Sequence, residues 1–346
     1  MGDVLLAGPA VRAVASRAHV LFLAGPAGAA AARLLPGVDD VLVWDSPWIS
    51  DPAPQVQAPA IRSLVRSIRR ARPDAAVILT SFHQSPLPLA LVLRLAGVPH
   101  IAGASVDHAG SLLDVRLRPG EDLPEDIPEA ERAVGIVGAA GYPLPAADDG
   151  LLAVTGIRRV ELGTEPYVVV HPGASVPART WPADRFAAAT RIIAEAGMRV
   201  IVTGGADERE LTATVAGISG VDLGGRLSLP ELAGVLAGAR AVLVGNTGPA
   251  HLAAAVRTPV VSLFSPVVPA GRWAPYGIPV VLLGDQSAAC RDSRARVCPV
   301  PGHPCLNRVG PETAARACLR LASEPAGRSR GAAADRPRTE RQGVTS

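Results

Sequence analysis

At 346 residues, 48% hydrophobic and 19% charged, the chain has the composition of a soluble globular protein with room for two domains. Every one of its 34 basic residues is arginine, which excludes a Schiff-base lysine and a Walker-type phosphate lysine. The net charge of +3 resides in residues 325–346, where five arginines stand against one aspartate and one glutamate. The body is then near neutral and shows no basic face for nucleic acid.

Short apolar strands alternate with helical stretches through the first half. Residues 19–23, 41–44 and 76–80 read as strands, and 58–72 reads as a helix with Ile61, Leu64, Val65 and Ile68 on one face and arginines on the other. Residues 85–98 are apolar but interrupted by Pro86, Pro88 and Arg94, too broken to span a membrane. The charged, proline-bearing residues 114–128 read as a surface loop, and 148–162 as a crossing between domains. The expected domains are therefore 1–160 and 161–324, followed by a disordered tail, 325–346.

The second half repeats the rhythm more cleanly. Strands are expected at 167–171, 199–203, 241–244 and 260–264, with helices at 182–196, 207–216 and 228–237. Strands separated by helices of this length imply parallel sheets wrapped on both faces, so the fold class is α/β with two doubly wound domains and a cleft between them. In such sheets ligands sit beyond the carboxyl ends of the strands.

Four loops fall at those ends. The most informative is Gly245-Asn246-Thr247-Gly248-Pro249-Ala250-His251, which joins a buried strand to a helix. Free N–H groups and the positive end of the helix dipole suit a phosphate or diphosphate there. The others are His171-Pro172-Gly173-Ala174-Ser175 running on to Arg179-Thr180-Trp181-Pro182, then Gly204-Gly205, then Arg272-Trp273-Ala274-Pro275-Tyr276-Gly277. Arg179 offers a planar donor fork for phosphate oxygens, and Gly173 admits close backbone approach. Trp273 and Tyr276 either border a nucleoside pocket or pack between elements, and His251 alone reads equally as a helix-start histidine.

In combination these motifs resemble glycosyltransferase family 9, the heptosyltransferase-like family with the GT-B fold of two Rossmann-like domains. The resemblance runs from the first residue to the helix near Leu321 and is strongest over 167–311. It implies an inverting, metal-independent transfer of a sugar, a heptose in the best-known members, from a nucleotide-diphosphate donor held mainly by the C-terminal domain. The acceptor implied is a glycan or glycolipid, with no cofactor and at most peripheral association with a membrane. Family members open with a strand, a loop ending Gly-Asp and an apolar helix. Gly2-Asp3 begins at that Gly-Asp, which makes Asp3 the general base and leaves the first N-terminal strand missing. From this the natural chain is expected to begin about ten residues upstream, a strand of ordinary length plus a loop. The donor-binding residues implied are Gly173, Arg179, Asn246, Thr247, Gly248 and His251, with Glu231 offered as the ribose contact. Asn246 replaces the aspartate of many members, and Arg179 the lysine of some. His83 and Gln84, at a strand end in the N-terminal domain, are the acceptor-side candidates. Local reading leaves Asp3 equally an ordinary helix-capping aspartate.

Cys290, Cys298 and Cys305 with His303 offer zinc-ligand chemistry, but the spacing lacks close Cys-x-x-Cys pairs, and packed thiols are the expectation. Two other functions remain open: a nucleotide-sugar-binding protein without catalysis, and a sugar-nucleotide epimerase acting on the donor alone.

Overall fold

The computed structural model describes residues 1–50, 52–81 and 84–324. The N-terminal half runs α1 (Gly2–Leu6), α2 (Gly8–Ala15), β1 (Leu21–Ala24), α3 (Pro26–Ala32), β2 (Asp40–Val43), α4 (Ala58–Ala71), β3 (Ala75–Ile78), α5 (Leu87–Leu95), β4 (His100–Ala104), β5 (Val115–Leu117) and α6 (Glu129–Ala139). The first two helices meet at Ala7, which keeps helical angles while Pro9, lacking an N–H, opens the second. Residues 114–128 are not wholly a loop. Val115–Leu117 pairs in parallel with β4, in the register Ala102↔Val115. Three residues with one arginine are too short to register as a strand without their partner.

The strands of this half form two separate parallel sheets, β1–β2 and β3–β4–β5. Leu23 and Leu42 pack with Ile78 and Ile101 in one core under α4 and α5, so the two pieces share a layer without sharing hydrogen bonds. Among the described residues β1 and β3 each keep one edge without a strand neighbour.

The C-terminal half is continuous: β6 (Tyr167–His171), α7 (Ala183–Glu195), β7 (Arg199–Val202), α8 (Arg209–Ala216), β8 (Val221–Asp222), α9 (Leu229–Ala237), β9 (Val242–Gly245), α10 (Gly248–Ala255), β10 (Val260–Leu263), α11 (Ala270–Trp273), β11 (Val280–Leu283), α12 (Pro304–Asn307) and α13 (Pro311–Ser323). Its six parallel strands lie in the order β11-β10-β9-β6-β7-β8, the doubly wound order. Val168, Val169 and Val170 are fully buried, as a central strand covered on both faces requires. Alternate side chains feed two cores: Val168 and Val170 pack with Phe186 and Ile193, while Val169 packs with Leu236, Val242 and Leu252. Leu5 of α1 belongs to that second core, which seats the first helix on α10. Burying such a leucine contributes about 1.5–3 kcal/mol. Among the described residues no helix is long and apolar enough to cross a membrane. The tail, 325–346, lies outside them.

Candidate functional site

The strand order reverses between β6 and β9, and doubly wound sheets bind ligands beyond the carboxyl ends of the strands at such a switch point. His171 ends β6 and Gly245 ends β9. From Gly245 the chain turns through Asn246 and Thr247, the latter extended at φ −151°, ψ 171°, into α10. Thr247 makes no side-chain cap and Pro249 follows within the first turn, so no capping side chain takes up the first N–H groups of α10.

Three buried polar atoms gather at this turn without a partner: Asn246 Nδ2, His251 Nδ1 and Arg179 Nε. Arg179 closes the short 3-10 turn Pro177–Arg179, and its carbonyl oxygen would lie 3.2 Å from a Cβ added at Gly245, placing it beside the β9 turn. Burial lowers the Arg179 guanidinium, opposed by the charge of Asp3. Desolvation pushes His251 down from 6.5 to about 4, with Asp3 again pulling the other way. Buried polar atoms without partners cost free energy unless something binds them.

Asp3 lies exposed in the first turn of α1, and its field reaches Arg179 and His251 on the C-terminal half and Glu129 on the N-terminal half. The two helix starts touch. A Cβ at Gly2 would come within 2.8 Å of His251 Cδ2, and the Met1 side chain lies against Gly248. At Gly2 a side chain would press on the buried imidazole, whereas at Gly248 it would meet only the flexible Met1 side chain, which can move.

The remaining expected residues do other work in this structure. The carboxylate of Glu208 occupies the space a side chain at Gly173 would need. It accepts from the Gly205 N–H at 2.7 Å and sits 4.0 Å from His171 Nε2. His171 is itself buried, bonded to Thr203 Oγ1 at 3.0 Å and pushed down to about 4 by desolvation. Glu231 forms a capping box with Ser228, accepting from its N–H at 2.8 Å and its hydroxyl at 2.6 Å. Gln84 Oε1 accepts the Ser81 N–H at 3.2 Å and so closes its own turn. His83 lies outside the described residues.

Sequence reading missed the charge network beneath Asp3. Arg272 of α11 donates through Nε (2.8 Å) and Nη2 (2.5 Å) to Glu129 Oε1 of α6, and its Nη1 stands 3.8 Å from Glu125. Arg132 of α6 donates to the Thr80 carbonyl at 2.8 Å, next to Ser81. Burial raises the Glu129 carboxyl against the opposing pull of Arg272. A cavity of about 40 Å³ joins Asp3, Thr80, Ser81, Glu129 and Arg132, and two of these lining residues carry unpartnered buried atoms, Arg132 Nε and Thr80 Oγ1. Tyr276 links the same halves by donating to Glu131 at 3.2 Å, and Trp273 is packed with Phe264 and Leu152 under the Arg272 guanidinium. The only local hint was the density of Glu and Arg in residues 125–132.

A larger cavity, about 730 Å³, lies at the opposite ends of the strands, lined by Tyr167, Gly238, Arg240 and Pro279. The unpaired polar atoms gathered at the carboxyl ends decide for the smaller site. Among the described residues no group of three or more His, Cys, Asp or Glu is placed to hold a metal ion. The four cysteines are free thiols, Cys305 raised to about 11 chiefly by burial.

Comparison with known proteins agrees with this architecture. Lipopolysaccharide heptosyltransferase 1 of Pseudomonas aeruginosa is 36% identical over 152 residues, 42% of this chain and 41% of the relative. Lipopolysaccharide heptosyltransferase 2 of Escherichia coli is 27% identical over 231 residues, 60% of this chain and 64% of the relative. The alignments thus span less than two thirds of these relatives. The solved structure of E. coli ADP-heptose LPS heptosyltransferase II superposes with a TM-score of 0.69 at 20% identity, covering 93% of this chain and 95% of that one, and establishes the shared GT-B architecture. Residues 61–302 match the model of glycosyltransferase family 9 (heptosyltransferase), and the chain belongs to that family.

Proposed function

We propose that this protein transfers a sugar, a heptose by kinship with the relatives above, from a nucleotide-diphosphate donor to a hydroxyl of a glycan or glycolipid, with inversion and without a metal. The observation that carries the reading is the set of unpartnered buried polar atoms on Arg179, Asn246 and His251 at the switch point, within the field of the Asp3 carboxylate. In this reading residues 161–324 hold the donor and residues 1–160 the acceptor, the division falling in the extended segment before β6.

Asp3 accepts the proton of the attacking hydroxyl as its oxygen bonds to the anomeric carbon and the bond to the diphosphate breaks. Charge building on the departing diphosphate meets the Arg179 fork, the N–H groups of Thr247 and Gly248, and the α10 dipole. His251, neutral at pH 7, donates one hydrogen bond to the same oxygens. Glu231 reaches a ribose only by releasing its cap.

The test is Asp3→Asn, with ADP-heptose as donor and ADP release and product mass as readouts. Turnover is expected to fall about a hundredfold to ten-thousandfold while ADP binding stays within about twofold. Residual turnover near that of the unaltered protein would refute the base assignment. Donor binding with neither transfer nor hydrolysis in the unaltered protein would instead establish the binding-only function.

A further inference from the structure

We infer that Arg296 is a second cation for the donor, meeting the terminal phosphate of the departing diphosphate beside Arg179. The inference rests on the donor reading above. Residues 284–303 join β11 to α12 without a regular element, yet the segment is tied down along its length. The buried thiols Cys290 and Cys305 root it in the core with Phe186 and Leu306. Backbone bonds then stitch it to the loops at the carboxyl ends of the strands. Asp292 N–H donates to the Pro266 carbonyl at 2.9 Å, and Arg294 N–H to the Val267 carbonyl at 2.8 Å. Ala178 N–H donates to the Arg296 carbonyl at 2.8 Å. That last bond sets Arg296 against the short turn that ends in Arg179, beside Gly245 of the donor turn.

The segment holds an uncommon conformation to do this. Asp292 and Arg294 have left-handed φ values of 58° and 57°, which disfavour a long side chain such as arginine. Strain of this kind gathers at ligand sites, where the surrounding structure enforces it. Burial lowers the buried Arg179 guanidinium, and the charge of Arg296 lowers it further against the pull of Asp3. Arg294 is lowered by burial and then by Arg272, and is raised by Glu129. One arginine of the segment thus acts on the donor turn and the other on the ion pair between the halves. Arg296 itself is exposed, at the rim rather than beneath the site.

A nucleotide-diphosphate sugar carries more than one negative charge, and another develops as its bond to the sugar breaks. Arg179 answers one of them. His251 is neutral at pH 7, and Arg272 is engaged by Glu129 and Glu125. The chain has no lysine to add. Two guanidiniums brought near each other repel until an anion lies between them, so their approach favours a polyanion over a neutral ligand.

The experiment is calorimetric titration of the full chain with ADP and with AMP, which differ by the terminal phosphate. R296Q should weaken ADP about tenfold, the scale of one charge-assisted hydrogen bond, and leave AMP within about twofold. R296K keeps the charge and should recover most of the loss. R291Q removes the same charge from the same segment, where Arg291 stands beside Asp292, and should leave ADP within about twofold. Circular dichroism checks that all three variants remain folded. Unchanged ADP affinity in R296Q would overturn the inference. Equal weakening of AMP and ADP, or equal weakening by R291Q, would do the same, because the effect would then come from the turn or from overall charge. In each of those cases ADP binding that depends on Arg179 leaves the donor reading standing. An unaltered chain that does not bind ADP would overturn both.

Discussion

Glu129 and Arg272 form a buried ion pair between the two halves of the molecule, 8% and 3% exposed, with both arginine donors on one carboxylate oxygen. The pair lies beside the cavity that reaches Asp3, and Arg132 connects it to the Thr80 carbonyl at the end of β3. Breaking such a pair from one side leaves an uncompensated charge, whereas replacing both partners does not. Glu129→Ala is therefore expected to destabilise the fold by about 3–5 kcal/mol, read from urea unfolding. The double change E129L/R272M should recover most of that loss; a double variant as unstable as the single one would contradict this account.

Arg179 is expected to be the strongest single contact to a diphosphate. A charge-assisted hydrogen bond is worth about 1.5–3 kcal/mol, so Arg179→Ala should weaken ADP about 10- to 100-fold in calorimetry. Arg179→Lys should fall between, keeping the charge and losing the planar fork. Unchanged ADP affinity in the alanine variant would move the donor site elsewhere.

The two buried imidazoles predict an acid-labile fold. His171 and His251 titrate near 4 when folded, against 6.5 when exposed, because burial disfavours the charged form. Between those values the unfolded chain binds more protons, so stability is fully present above pH 6.5 and declines as pH falls toward 4. Each histidine contributes about 3 kcal/mol to the decline. Glu129, held above its ordinary value, acts in the opposite sense, losing stability as pH rises through its own range. Urea midpoints between pH 7.5 and 4.5 should show the net loss, and His171→Gln should flatten it. An identical slope in that variant would count against His171 as a source.

The divided N-terminal sheet should be visible in hydrogen exchange. The C-terminal sheet places β6 between β7 and β9, so its amides are bonded from both sides. β1 and β3 are each paired on one side only. Amides of Leu21–Ala24 and Ala75–Ile78 that face away from β2 and β4 are expected to exchange orders of magnitude faster than those of Val168–Val170. Uniform protection across all three strands would mean that the open edges are covered.

The turn from Gly245 to His251 was legible because its signal is local: a buried strand, small residues and a helix start within a dozen positions. The alternation of strands and helices was legible for the same reason, as it depends on periodicity. Ser228-x-x-Glu231 also carried its own explanation, since that spacing is a capping box, and the cap is what the carboxylate makes. Glu208 over Gly173 was less accessible, because a loop and a helix start from different βα units must first be brought to adjacent strand ends.

The sequence by itself thus determined the element types, the parallel layering and the anion-ready turn, all set by contacts within about twenty residues. Only the tertiary structure decided that α1 rests on α10, that the N-terminal sheet is divided, and that Glu129 meets Arg272 across 143 positions. Those relations depend on burial and on the geometry between distant elements. Glutamates and arginines are ordinarily surface residues, and composition alone does not reveal which of them the packing will enclose.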